Sequence, residues 1–178
     1  MMRNLHRPFF VALLAFFPLC SGLATPAHAQ RPEKDYLSDV EADKIRDAET
    51  PNEKVELFLK FAEDRLKKFQ YELEHPSPNK HIEMLNFLMN SYGGCMDDAA
   101  DLIQVALSKQ QNIRKGIDLM AQKAAEFLPL LQNYAKQGPE LEAYKENLDD
   151  AIEGTQDALN EAEAAKKKAA PPPERRKN

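Results

Sequence analysis

Apolar residues recur along most of the chain at steps of three and four, the period of a helix buried on one side. A strong start signal, Thr50-Pro51-Asn52-Glu53, precedes the clearest series: Thr50 can cap the helix, Pro51 needs no N–H there, and Glu53 can bond back to the cap. Two prolines in His75-Pro76-Ser77-Pro78 end the series. We therefore predict a helix near residues 51–75, with a buried stripe of Val55, Phe58, Ala62, Leu66, Phe69 and Leu73.

Four other segments carry helical signals. Ser38-Asp39-Val40-Glu41 has the form of a capping box and predicts a short helix to about Glu49. Further apolar series predict helices near 80–108, 112–137 and 139–167, the last following the stop signal Gln137-Gly138-Pro139. We expect the 80–108 helix to be central, because Phe87, Met89, Met96 and Val105 widen its stripe, and the last, narrower helix to be peripheral.

These elements predict an all-α fold, an antiparallel (up-down) four-helix bundle preceded by a short helix. One connection is in doubt. No Gly or Pro marks a turn near Ser108, and the stripe keeps its phase from Ala106 to Ile113. The alternative is an elongated array around one unbroken helix from Lys80 to about Gln137, roughly 85 Å long. We favour the bundle because ordinary helices are much shorter.

The N-terminal residues have the order of a secretory signal peptide: Arg3 and Arg7, an apolar run over 8–19, and Ala27-His28-Ala29. The apolar run is about half of the roughly 20 residues that span a bilayer. Leu19 before Cys20 does not fit a lipidation site. We predict a signal peptide over 1–29 with cleavage after Ala29, and a secreted or periplasmic mature chain without a transmembrane segment.

Charge divides the mature chain into two parts. Residues 30–165, the predicted helical domain, hold 16 Lys and Arg against 28 Asp and Glu, and this acidity argues against a nucleic-acid partner. Residues 166–178 hold six Lys and Arg and three consecutive prolines, which predicts a disordered basic tail able to contact an anionic surface. Only six Gly occur, none in a phosphate-binding loop, which argues against nucleotide-binding α/β folds.

The densest candidate chemistry lies in the Gly93–Asp101 region, where Cys95 is close in sequence to Asp97, Asp98 and Asp101. As a nucleophile, Cys95 lacks a neighbouring base and lies on the apolar stripe, which favours a buried, unreactive thiol. Asp97 and Asp101 are spaced like ligands of a hard cation, but no calcium-binding loop surrounds them and solvated carboxylates fit better.

The second candidate is a turn flanked by His75 and His81. With Glu72 nearby, two imidazoles and a carboxylate have the chemistry of a zinc site, yet the i,i+4 spacing of helical histidine ligands is absent. The polar setting of the turn explains both histidines without a metal. We therefore assign no catalytic, cofactor-binding or metal-ligating residue.

We expect an exported, soluble helical protein without catalysis, an interaction or scaffold module of the cell envelope that binds an unknown protein partner or itself. The alternative is a bundle that binds a small ligand or metal through the Gly93–Asp101 region. A third hypothesis, an enzyme with Cys95 as nucleophile, requires a thiol that reacts readily in the folded protein.

Overall fold

The computed structural model describes residues 36–136 and 140–168, and all the regular structure in them is helical. The helices are α1 (Asp39–Asp47), α2 (Pro51–Glu74), α3 (His81–Ser108), α4 (Arg114–Tyr134) and α5 (Lys145–Lys168), with a 3-10 turn over Leu141–Ala143. The predicted all-α class is confirmed. The predicted signal peptide, the Gly138-Pro139 stop and residues 169–178 lie outside the described residues.

Both predicted capping boxes are formed. The Ser38 hydroxyl accepts the Glu41 N–H at 3.4 Å while the Glu41 carboxylate accepts the Ser38 N–H at 2.9 Å. Thr50 and Glu53 exchange the same two bonds at 3.2 Å each. These bonds satisfy N–H groups that the first turn leaves without helical partners, so α1 and α2 begin where the sequence predicts.

The unbroken helix over 80–137 is wrong, because α3 ends at Ser108. The Gln111 N–H bonds to the carbonyl of Ala106 at 2.9 Å and the Gln110 N–H to that of Leu107 at 3.0 Å. This pair of bonds is a Schellman motif, in which the chain turns through a left-handed residue. Gln110 is that residue, with φ of 54°, at a position where glycine is usual. The sequence therefore contains no recognisable stop.

A side chain of α2 completes the start of α4, which has no side-chain cap of its own. Asn52 donates its amide to the carbonyl of Asn112 at 2.8 Å and accepts the N–H of Gly116 at 2.7 Å. The first turns of α2 and α4 consequently lie side by side.

The last helix begins later than predicted, whereas its end lies within one residue of the predicted limit of 167. Glu140 is left-handed, with φ of 60°, so no helix runs continuously from residue 139. At the other end α5 continues to Lys168, three residues into the segment assigned to the tail. Lysines in a last turn are favoured by the negative end of the helix dipole.

Long-range contacts fix the directions of the four long helices. Near the turn between α2 and α3, Glu72 meets His81, and Lys166 at the end of α5 approaches Asp118 near the start of α4. Both sequential pairs are therefore antiparallel hairpins. Across the hairpins, α2 packs on α4 and α3 packs on α5. The backbones of the consecutive helices α3 and α4, by contrast, approach each other at few positions.

These packed pairs across the hairpins are parallel. Asn52 near the start of α2 contacts Gly116 near the start of α4, and further along the same two helices Glu63 meets Lys123 at 2.9 Å. In the other pair, Asn86 bonds Asn147 at 2.5 Å and Gln104 bonds Glu161 at 3.3 Å.

Aromatic side chains fill the core between the helices. The ring of Phe69 lies 5.3 Å from that of Tyr134 and 5.7 Å from that of Tyr144, and the rings of Tyr92 and Phe127 are 6.0 Å apart.

None of the described helices is both long and apolar enough to cross a membrane.

Two expectations about burial are wrong. The predicted peripheral helix α5 packs on both α3 and α4, because alanines and Thr155 on its inner face permit close approach. Phe87 and Val105 of α3, expected to widen the buried face, are 50% and 45% exposed. The buried stripe of α3 is consequently narrower than the run of apolar residues suggests.

Candidate functional site

The Gly93–Asp101 region lies in the middle of α3 and faces two different neighbours. On one side Gly94 receives the ring of Tyr36, whose hydroxyl donates to the Asp98 carboxylate. A Cβ at residue 94 would lie 2.8 Å from that ring, so the close approach requires glycine. On the other side Gly93 borders a cleft against α5.

This α3–α5 cleft has a volume of about 210 Å³ and mixes polar and apolar walls. Gly93 of α3 and Gly154 of α5 both line it, and neither is needed to avoid a clash, since a Cβ would meet nothing closer than 4.0 Å. The other residues of the lining include Met89, Asn90, Met96, Asp97, Asn147 and Asp150. The cleft is therefore an open hollow with carboxylate and amide groups at its edge.

Cys95 of the same region is fully buried, with none of its area exposed. Its neighbour Tyr92 is also fully buried, and the tyrosine hydroxyl is 2.6 Å from that of Thr155. Burial raises the pKa of Tyr92, against the effect of the Thr155 hydrogen bond. Arg65 is close enough to interact electrostatically with Cys95, but a substrate in solvent has no access to the sulfur.

The carboxylates of this region have different surroundings. Asp98 is engaged with Tyr36. Partial desolvation and the nearby charge of Asp101 raise the pKa of Asp97. Within 36–136 and 140–168, no three His, Cys, Asp or Glu side chains are grouped closely enough to hold a metal ion.

The predicted histidine candidates at the α2–α3 turn are also apart. Glu72 accepts both the N–H and the hydroxyl of Ser77, at 2.7 and 2.9 Å, and its Oε1 is 2.9 Å from Nδ1 of His81. Burial alone would raise the pKa of Glu72, but these hydrogen bonds lower it. His75 instead stacks on Tyr71, with ring centroids 4.5 Å apart. Glu72 therefore joins Ser77 and His81 of the turn to the end of α2, while His75 packs on α2 itself.

A partly buried ion pair joins α1, a helix without a fully buried residue, to α2. Arg65 donates from Nη1 and Nη2 to the two carboxylate oxygens of Glu41, at 2.9 and 2.7 Å, and from Nη2 to the carbonyl of Tyr36. Burial alone would raise the pKa of Glu41, but hydrogen bonds from Arg65 and Ser38 lower it to about 2. Periodicity gave no indication of this contact, because it joins residues 24 positions apart.

Among the described residues, three exposed apolar side chains cluster at a groove between α2 and α3, which the sequence did not predict. Two adjoining hollows of about 310 and 390 Å³ share Lys68, Met84 and Leu88. Tyr71 lines the first hollow and Phe87 the second, and their side chains are 62% and 50% exposed. We call the two hollows together the α2–α3 groove.

The acidic and basic side chains of the groove differ in whether they are free to contact a partner. Glu41 and Glu72 line it, but their oxygens are occupied by Arg65 and by the α2–α3 turn. Lys67 and Lys68 on the α2 wall have side chains 72% and 58% exposed. The groove therefore presents apolar side chains and ammonium groups to solvent.

Comparison of the chain with known protein families, curated proteins and solved structures found no match.

Proposed function

We propose that this protein is a non-catalytic interaction module of the cell envelope, which binds a partner through the α2–α3 groove. The observation that carries the proposal is the clustering of exposed Tyr71, Met84 and Phe87 around one concavity. Exposed apolar patches of this kind commonly mark interaction sites. The full burial of Cys95 argues against the rival hypothesis of a cysteine nucleophile.

The scaffold we propose is a four-helix bundle with α1 attached to its side. The packing of α2 on α3 and α4, and of α5 on the same two helices, supports a ring in which α3 and α4 lie on a diagonal. In the simplest up-down bundle, helices that follow each other in the chain are always neighbours. In this scaffold the consecutive helices α3 and α4 lie on a diagonal, and the neighbours across the two hairpins are parallel. Such a scaffold holds the groove between two long helices.

Export by the 1–29 signal peptide and electrostatic contact through the basic tail are further parts of this proposal. The order of charged, apolar and small residues supports export. The three lysines that end α5 continue the positive charge of the tail onto the described helix.

A photo-crosslinking experiment in the producing cell tests the interaction role. The crosslinker p-benzoylphenylalanine replaces Phe87 in one variant and Leu130, an exposed residue of α4 outside the groove, in a matched control. We expect a discrete crosslinked protein with the probe at 87 and none with the probe at 130. Absence of a crosslink from the groove, with the variant folded and exported, would contradict the proposal.

The second candidate function is binding of a small ligand in the α3–α5 cleft. Two glycines from different helices border this cleft, although each costs helix stability of about 1 kcal/mol relative to alanine and neither avoids a clash. Carboxylates and amides above methionines suit a small cationic molecule with an apolar part. Native mass spectrometry should then show the wild-type protein with a bound small molecule. The substitution Gly154→Leu fills the cleft and should abolish this binding. A wild-type protein without a bound molecule rules this function out.

A further inference from the structure

The apolar exposure of the described residues is concentrated at the α2–α3 groove. Val40, Val105 and Leu130 are also exposed, but none of them lines either hollow of the groove. In the groove, Met84 belongs to both hollows, so the two are continuous. A single partner segment can therefore occupy both with apolar side chains from one of its faces.

Basic side chains outnumber acidic ones in the lining of the groove, the reverse of the balance in residues 30–165. Residues 30–165 carry an excess of 12 acidic residues, yet the groove's available charged groups are Lys67 and Lys68. Each lysine has an i,i+4 partner on α2, Glu63 or Asp64, at 2.7 Å. Exposed pairs of this type contribute only about 0.3–0.5 kcal/mol, so a partner's carboxylates can compete for the ammonium groups.

The shape of the groove selects a protein segment over a membrane. Hollows of about 310 and 390 Å³ accept inserted side chains, which a protein segment supplies and the flat surface of a bilayer does not. Apolar side chains flanked by carboxylates are complementary to the apolar floor and the lysine wall.

We infer that the α2–α3 groove receives an acidic amphipathic segment of a partner protein, a conclusion that rests on the interaction role proposed above. The segment's apolar side chains enter the two hollows, and its carboxylates pair with Lys67 and Lys68. Recognition by lysines on one wall favours acidic over basic or neutral segments with the same apolar face.

A peptide array provides the first test. Every 16-residue member has Leu, Phe or Met at positions i, i+3, i+4 and i+7, and the remaining positions carry Glu, Gln or Lys. The purified full chain, lacking only its signal peptide, is applied at low and high salt. We expect binding to the Glu members, weaker at high salt, and little to the Lys members. Equal binding to Gln or Lys members, or no binding to any, overturns the inference.

Charge variants test the role of the lysines against the tightest-binding Glu peptide. Lys67→Gln/Lys68→Gln should weaken binding roughly tenfold, since each exposed charge contact is worth up to about 1 kcal/mol. Lys67→Glu/Lys68→Glu should weaken it further. Lys60→Glu, on the same helix but outside the lining, is the matched control and should change affinity less than about twofold. Equal effects of Lys60 and Lys67/Lys68 substitutions contradict the inference.

The crosslink from position 87 separates failure of this inference from failure of the interaction role. Loss of the crosslink in Lys67→Glu/Lys68→Glu, with an unchanged melting temperature, supports the inference. A crosslink that survives the double substitution is consistent with the interaction role but contradicts the inference that the partner segment is acidic. A crosslink to a second copy of this chain, or recruitment to anionic but not neutral lipid vesicles through Phe87, replaces the proposed occupant and overturns the inference.

Discussion

Adjacent glycines of α3 occupy different surroundings. Gly94 lies under the ring of Tyr36, whereas nothing lies within 4 Å of a Cβ built on Gly93. Alanine at 93 should therefore raise the free energy of unfolding by about 0.5–1 kcal/mol, the difference in helix propensity between the two residues. Alanine at 94 should lower it or leave it unchanged, because Tyr36 must move. Urea denaturation of both variants measures the difference, and an equal gain from the two substitutions would contradict it.

The ion pair between Glu41 and Arg65 makes stability depend on pH. The pKa of Glu41 falls from 4.5 to about 2 on folding, so its stabilising contribution is present above about pH 4.5 and is lost as the pH falls toward 2. At pH 7, Glu41→Gln should lower the free energy of unfolding by about 1–3 kcal/mol. Thermal melts should show this difference shrink between pH 5 and pH 3.

The control for this ion pair is Asp43→Asn, which alters an exposed carboxylate of the same helix. Exposed pairs contribute little, so this variant should melt close to the wild type at every pH tested. A Glu41→Gln deficit that stays constant from pH 7 to pH 3 would show that the carboxylate charge is not what stabilises α1.

At the residue scale, contacts between close sequence neighbours were predictable and distant contacts were not. The two capping boxes follow from spacing along one helix, and both are present. The Arg65–Glu41 pair depends on how α1 folds back on α2, which no local pattern encodes. For the same reason the α2–α3 groove, built from two helices, was not predicted.

At the scale of the elements, the first turn of α4 is capped by a side chain of α2. Asn52 satisfies the N–H of Gly116 and the carbonyl of Asn112, so Asn52→Ala leaves two backbone groups without these partners. We expect the free energy of unfolding to fall by about 1–2 kcal/mol, as for the loss of a helix cap. Urea denaturation measures it, with Glu56→Ala, which breaks an exposed pair with Lys115 on the same two helices, as the control. Equal losses in the two variants would contradict a capping role.

Helix limits were predictable wherever proline or a capping box marks them and unpredictable where the backbone alone turns. The start of α2 and its end before Pro76 match the prediction, whereas the left-handed Gln110 and Glu140 carry no signal in their side chains. The exposure of Phe87 was missed because a wide apolar stripe does not show which edge a neighbouring helix covers.

On the scale of the whole molecule, two antiparallel hairpins dock with a constant offset. Contacts between them join residues about 60 positions apart, as in Glu63–Lys123, Asn86–Asn147 and Tyr92–Thr155. Each hairpin is made of two helices that are consecutive in the chain, and docking of the two hairpins requires that the short segment 109–113 reverse the chain. The two hairpins are therefore linked by a single reversal.

The Schellman turn at Gln110 consequently decides whether the protein completes its core within one chain. Replacing Gln110, Gln111 and Asn112 by alanine favours continuation of α3 into α4, since alanine is the best helix former and the left-handed residue is disfavoured. A hairpin held away from its own partner can dock on the matching hairpin of another copy, a domain swap. Light scattering should then report twice the monomer mass for the alanine variant and one monomer mass for Gln110→Gly, which suits the turn. Interchange of hairpins between copies would make this five-residue hinge the point from which the chain assembles into dimers or longer polymers.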